Sequence, residues 1–358
     1  MSRVEWIDEP VRFDELRPEW EALAELQRLP FLRHGWFSAW WRAFGSGRRL
    51  QICTLWNGSG LVGALPLAAG GGGLEALANV HSPVFRPLAR DEEALRSLAE
   101  AAVERAPGVL RIPELSAGDP AVEALAGASR GAGRFTLVEN GRVAPLVETT
   151  GELAGYLQAL DRKARKDLER RRRKLESEQQ ASFTPIAVPA DVERELTAGF
   201  EVEASGWKGE RQTAVARSED TSGFYRGLAE AFAPEGRLRL STISVEGRAI
   251  AFDYCLLDHG RLWILKGGYD EAFRGYAPGL LLTLAQIERA FELGLEAVEL
   301  CGDAAPWKLR FATASRSLCS VLSYRPRPAP IARYAYRRAM RPHVRRAYRR
   351  LLPGRQRG

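Results

Sequence analysis

The stretch that most restricts the fold runs over residues 240–303. Residues 240–245 alternate, Glu246-Gly247-Arg248 interrupts them, and residues 249–257 run apolar with one charge at Asp253. Asp258-His259-Gly260 marks a second turn, and residues 261–268 return with one charge at Lys266. Runs of this kind separated by glycine-bearing turns predict three antiparallel strands. The loop Arg274-Gly275-Tyr276-Ala277-Pro278-Gly279 follows. Leu281, Leu284, Ile287, Ala290 and Phe291 then recur at helical spacing over residues 280–293, Gly294 is a stop signal, and residues 297–301 make a further short strand. Such a loop entering a helix suits an anion, because the first N–H groups have no partner inside the helix and the dipole is positive there. Arg274 adds a bidentate donor for phosphate oxygens.

Arg274-x-x-Ala277-x-Gly279 resembles the pyrophosphate-binding signature of the GNAT superfamily of acyltransferases (Q/R-x-x-G-x-G/A), with Ala277 in place of the middle glycine. Over roughly residues 1–324 the chain more closely resembles the CelD/BcsL-like, FemABX-related branch, in which two GNAT-like domains stand in tandem. Residues 31–44, 60–67, 163–175 and 203–213, with Trp207-Lys208-Gly209, and the pair Trp307-Lys308 carry the rest of that likeness. The loop alone is a weak motif; in this order and with these neighbours it is specific. The resemblance implies an α/β protein with mixed sheets: a degenerate first domain over 1–150, an acyl-coenzyme A-binding domain over 151–324, and a basic tail over 325–358. It implies acetyl-CoA or another acyl-CoA as co-substrate and no metal. Arg274, Gly275, Tyr276, Ala277, Pro278, Gly279 and Lys308 would meet the coenzyme. Glu203, Trp207 and Lys208 fall on the acceptor side, and Asp303 near the acyl end.

Composition fits that size. At 358 residues there is room for two domains, and 45% apolar with 27% charged residues is ordinary for a globular protein. The four cysteines, Cys53, Cys255, Cys301 and Cys319, show no C-x-x-C spacing, which argues against a zinc site or a disulfide framework. No apolar run approaches the ~20 residues that span a bilayer, and Glu5, Asp8 and Glu9 are unlike a signal peptide. A cytoplasmic protein is the expectation. Residues 325–358 hold twelve arginines and no acidic residue, while the whole chain carries +7, so residues 1–324 carry −5. The basicity belongs to the tail, which argues against a nucleic-acid-binding body and for an interaction tail. Residues 331–352 read as a basic amphipathic helix interrupted at Pro342. Attachment at the inner membrane face is preferred over an acyl carrier protein or disorder.

In the first half, residues 13–29 predict a helix, residues 31–44 an aromatic helix with Trp36 and Trp40 in the core and His34 structural, and residues 50–55 and 61–68 a hairpin. A helix over 91–105, a strand over 109–115, a helix over 121–129 and a hairpin of 135–139 with 143–147 around Asn140-Gly141 follow. At the expected phosphate position Ala78-Asn79-Val80-His81-Ser82-Pro83 lacks the signature, so this copy is expected to bind no coenzyme. His81 is its one polar group to test, with a structural role favoured. Residues 153–179 carry one apolar stripe and nine basic residues between Arg162 and Lys174. Those cations fit a solvated face or a wall attracting an acidic substrate, a carrier protein or RNA.

Acyl transfer from a thioester to an amine needs a deprotonated amine, a donor for the developing oxyanion and a held coenzyme. By analogy, the oxyanion donor is a backbone N–H of residues 264–268. Asp253, Lys266 and Glu203 are the catalytic candidates, ahead of Asp270 and Asp303 as bases. A two-residue turn at His259-Gly260 sets Asp253 opposite Lys266, whereas a three-residue turn sends them to opposite faces. The expected reaction moves an acyl group from acyl-CoA to an amine or hydroxyl on a sugar, polyamine or envelope precursor. The alternatives are a Fem-type transferase using aminoacyl-tRNA and a non-catalytic module of exopolysaccharide assembly.

Overall fold

The computed structural model describes residues 2–205 and 218–340. Its first half contains β1 (Ser2–Ile7), α1 (Pro10–Glu15), α2 (Arg17–Glu25), α3 (His34–Phe44), β2 (Arg49–Asn57), β3 (Gly60–Gly70), β4 (Gly73–Ala76), β5 (Leu88–Ala89), α4 (Glu92–Arg105), β6 (Val109–Ser116), α5 (Pro120–Gly131) and β7 (Phe135–Glu148). Then come α6 (Leu153–Ala159), α7 (Arg162–Gln179), β8 (Ser182–Ala187), α8 (Val192–Ser205), α9 (Glu219–Phe232), β9 (Leu238–Val245), β10 (Arg248–Asp258) and β11 (Arg261–Tyr269). The chain continues through a 3-10 turn (Glu271–Tyr276) into α10 (Pro278–Glu292), β12 (Ala297–Glu299), α11 (Pro306–Leu309), β13 (Ala314–Tyr324) and α12 (Pro328–Ala335).

All the strands join one mixed sheet, ordered β1-β2-β3-β4-β6-β13-β7-β12-β11-β10-β9-β8, with β5 beside β3. Each half is an antiparallel run that ends on one parallel neighbour, β4 on β6 and β11 on β12. The last strand, β13, lies between β6 and β7 of the first half, and β7 in turn pairs with β12 of the second. Strands therefore cross the line between residues 150 and 151 in both directions.

Three expectations need correction. Residues 135–147 are no hairpin: β7 runs straight through Asn140-Gly141, because β13 supplies a partner from Phe135↔Tyr324 to Leu146↔Ala314. The Asn-Gly turn propensity yields to that long-range pairing, and the surplus is absorbed where Asn140 meets Cys319 and Val143 meets Ser317. The helix read over 13–29 breaks at Leu16 into α1 and α2. The one read over 153–179 breaks at Leu160, after which the Asp161 side chain accepts from the Ala164 N–H and restarts it as α7.

Aromatic packing fastens the halves. Phe31 meets Trp263 edge-on with ring centres 4.7 Å apart, and Trp36 meets Phe224 at 5.2 Å. Trp36 and Trp40 are core residues, each 1% exposed. Arg33 reaches the buried Asp258 at 3.6 Å, and Arg28 pairs with Glu296 at 2.9 Å.

Candidate acyl-transfer site

β11 and β12 are paired over only three residues, Arg261↔Ala297 to Trp263↔Glu299, and then part. Cys301 (φ 49°) and Gly302 (φ 59°) turn the outgoing chain aside, and the Lys308 ammonium holds that turn by donating to the Cys301 carbonyl at 2.5 Å. On β11 the register slips: Cys255 faces Ile264, but Tyr254 faces Lys266, leaving Leu265 as an extra residue. The turn at His259-Gly260 has the expected two residues, with Asp258 paired to Arg261. The bulge nevertheless sets Asp253 opposite Gly267 rather than Lys266. The two charges therefore face opposite sides of the sheet. This corrects the expected pair.

On one face Asp253 accepts from Gln286 Nε2 of α10 at 3.0 Å, and a Cβ on Gly267 would collide with its carboxylate. On the other face Lys266 Nζ sits 3.1 Å from Glu203 Oε1 of α8, whose side chain is only 1% exposed. A Cβ on Gly268 would come 2.7 Å from the Glu203 Cα, so glycine there lets α8 close on the strand.

Beside this pair a cavity of about 500 Å³ opens at the parting of the strands. Both halves line it: Val80, His81 and Pro83 from the first, Arg142 from β7, Thr221 and Tyr225 from α9, Leu265 and Lys266 from β11, and Cys301 with Gly302. Burial pushes the Cys301 thiol up to about 12, so it offers no thiolate. Asp303 follows the turn at an exposed position and bears electrostatically on Glu114.

The loop over residues 274–279 leads straight into a helix, as anticipated. Asp270 accepts from the Ala272 N–H and starts the 3-10 turn, a structural task that takes it out of contention as base. Ala277 adopts a left-handed φ of 55° immediately before Pro278, so it holds a conformation that a glycine would take without strain. Gly279 stands at the second helical position, among those whose N–H has no intrahelical acceptor. No acidic residue lies in the first turn of α10. Arg274 is exposed and enters no ion pair among the described residues.

α7 clamps this loop from the side. Arg171 Nη1 donates to the Gly275 carbonyl at 2.5 Å, Tyr276 Oη donates to Glu178 at 2.8 Å, and Lys174 lies 5.4 Å over the Tyr276 ring. Of the nine cations on α7, Arg165, Arg170, Arg171, Arg172 and Lys174 pair with neighbouring carboxylates. Arg162, Lys163, Lys166 and Arg173 remain exposed and outside such pairs among the described residues.

Lys266 and Glu203 thus come together, Asp253 lies across the sheet from them, and the loop residues 274–279 stay contiguous. Trp207 and Lys208 lie outside the described residues, as does residue 341 onward of the tail. Tyr225 and Arg142 escaped the sequence reading: one is an inward aromatic on a helix, the other a lone charge in a misread hairpin. Among the described residues no helix is long and apolar enough to cross a membrane.

Residues 162–309 match the family model described as an acetyltransferase (GNAT) domain. Among proteins with curated functions none matches the chain. Solved structures share the fold at low identity. FemX has a TM-score of 0.56 at 11% identity, covering 88% of this chain and 96% of its own. L-PGS from Bacillus licheniformis scores 0.55 at 12%, covering 91% and 95%. The C-terminal domain of a protein titled as a lysylphosphatidylglycerol synthetase from Agrobacterium fabrum scores 0.55 at 14%, covering 87% and 92%. The chain therefore has a GNAT-superfamily, Fem-related fold, with a GNAT acetyltransferase domain over residues 162–309. The domain match supports an acyltransferase.

Proposed function

We propose that the protein transfers an acyl group from acyl-CoA to an amine, or to a hydroxyl, by direct attack on the thioester. The acceptor is a sugar, polyamine or envelope precursor of the kind handled in CelD/BcsL-like exopolysaccharide assembly, and the setting is the cytoplasm, with the arginine-rich tail at a membrane face. The observation that carries this reading is the start of α10. There Gly279 offers an N–H without an intrahelical acceptor, Arg274 stands exposed, and no carboxylate lies in the first turn. Loop residues 274–279 would hold the coenzyme diphosphate. Lys308, fixed at the Cys301 turn, would close the parting of the strands.

In the cavity Lys266 would hold the acceptor or steady the carbonyl oxygen as charge builds on it. Glu203, buried behind Lys266 and outside the cavity lining, acts as a positioning residue for that ammonium. The nucleophile attacks the carbonyl carbon, the carbon–sulfur bond breaks, and the thiolate takes up a proton. No enzyme nucleophile is needed, in keeping with the high Cys301 pKa. The test is the thermal shift with coenzyme A: Arg274→Glu should abolish a shift that the wild type shows. An unchanged shift removes Arg274 from the site.

The four exposed cations of α7, the helix that meets the loop through Arg171, favour a second reading, aminoacyl transfer from tRNA. It requires binding of aminoacyl-tRNA that weakens steeply with salt.

A further inference from the structure

We propose that His81, contributed by the first half, accepts the proton of the nucleophile that attacks in the second half's cavity. The role rests on reading that cavity as the place of acyl transfer. His81 is one of the lining residues. Its ring stacks on Phe44 with centres 5.7 Å apart and planes 1° from parallel, and it meets Tyr225 edge-on at 5.9 Å. Its Nδ1 is 3.5 Å from Tyr225 Oη. Its backbone N–H donates to Asn79 Oδ1 at 2.9 Å. Arg142, aimed across by the irregularity in β7, donates to the carbonyls of Val80 at 3.3 Å and Ser82 at 2.5 Å. These contacts fix a half-buried imidazole and its loop at the wall of a cavity that both halves line.

The charged and titratable groups facing this ring are Lys266 of β11, Arg142 of β7, Glu203 of α8 and Tyr225 of α9. Burial, and then the two cations, depress the His81 pKa to about 4, so the ring is neutral near pH 7. In the tautomer whose Nδ1 hydrogen points at the Tyr225 oxygen, Nε2 keeps its lone pair. As the nucleophile bonds to the carbonyl carbon, its N–H or O–H becomes strongly acidic, and Nε2 takes that proton. The electron pair of the carbon–sulfur bond leaves with sulfur. The acidic imidazolium then gives the proton to the coenzyme thiolate, whose conjugate thiol has a far higher ordinary pKa (about 8.5). Acyl thioester and acceptor become acylated acceptor and free thiol, with nothing else consumed.

The test measures thiol release from acetyl-CoA, with spermidine and with glucosamine as acceptors, over pH 5–9, beside the coenzyme A thermal shift. His81→Gln and His81→Ala should lower kcat by about 10²- to 10⁴-fold, leave the thermal shift intact, and make log kcat climb with pH. Added imidazole should restore part of the His81→Ala rate. Full activity in both variants overturns the proton-acceptor role alone. So does a loss that imidazole does not rescue, because that behaviour belongs to packing against Phe44. Wild-type protein that releases no thiol with either acceptor overturns the acyl-transfer reading, and the His81 role falls with it.

Discussion

The two halves start corresponding helices in opposite ways. α4 lies between the parallel strands β4 and β6 along the first half as α10 lies between β11 and β12 along the second. At α4 the Asp91 carboxylate caps the helix by accepting from the Ala94 N–H at 2.9 Å, and Glu92 and Glu93 fill its first turn. At α10 the cap position is Ala277, the first turn has no acid, and Arg274 stands just before it. A helix end already occupied by three carboxylates repels a diphosphate, while a bare one attracts it. The halves also match at the turn beyond the parallel strands. Counting three residues past the last pair gives Glu114 in one half and Gly302 in the other, both left-handed at φ 59°. The architecture was kept twice, and the difference lies in which helix end is left open for an anion. The first half's loop delivers His81 to the cavity that both halves line.

The largest expected effect comes from the ion pair at that cavity. Lys266→Met removes the ammonium 3.1 Å from the buried Glu203 carboxylate and should cost up to about 3–5 kcal/mol of stability, with turnover down by at least about 10-fold. Chemical denaturation and steady-state kinetics measure the two. Adding Glu203→Leu should recover much of the stability and none of the rate. Asp253→Asn, on the opposite face, should keep kcat/KM within about twofold; a collapse there would return Asp253 to the chemistry and restore the pair that the bulge separates.

Next, the second helix end can be made to resemble the first. Gly279→Glu places a carboxylate where α4 carries Glu93, counting from each cap. A Cβ there meets only the Tyr269 ring, at 3.2 Å, so the fold should survive. Coenzyme A binding, read by calorimetry, should weaken at least about 100-fold, or roughly 2.8 kcal/mol. Undiminished binding would mean that the coenzyme is held elsewhere.

The first half's own stability should depend on pH. Burial holds His34 of α3 near a pKa of about 4, below the ordinary 6.5, with its Nε2 3.0 Å from the Phe13 carbonyl oxygen. Between those two values the unfolded chain binds more protons, so stability falls as pH drops through this window. The loss approaches about 3 kcal/mol near its lower end. Melting temperatures at pH 7, 6, 5 and 4 should show it, and His34→Gln should flatten the slope. Equal slopes would discharge His34.

What was legible in the sequence was local. The turns at Gly247 and Gly260, the loop at Arg274, the stripe of α10 and the core placement of Trp36 and Trp40 follow from spacing within about 20 residues. What was not legible depends on partners far along the chain. Asn140-Gly141 reads as a turn until β13 arrives from residues 314–324 to straighten it. Asp253 and Lys266 read as neighbours because a bulge has no reliable mark in an apolar run. Tyr225 joins the cavity only because α9 packs on α3, a contact between the halves.

The smallest effect sharpens the comparison at a single backbone angle. Ala277 carries a methyl group at φ 55°, where residues other than glycine, asparagine and aspartate are uncommon. The left-handed conformation costs an alanine on the order of 1 kcal/mol. Ala277→Gly removes that cost but gives the unfolded chain more freedom, which offsets part of the gain. A net rise of about 0.5 kcal/mol is expected, seen as an increase of roughly 1–2 °C in melting temperature for a chain of this size. Coenzyme A affinity should stay within about twofold, since the glycine presents the same N–H groups in the same conformation. A fall in melting temperature together with weaker binding would give the methyl group a role of its own, in pressing Pro278 and Gly279 into the helical start that an anion needs.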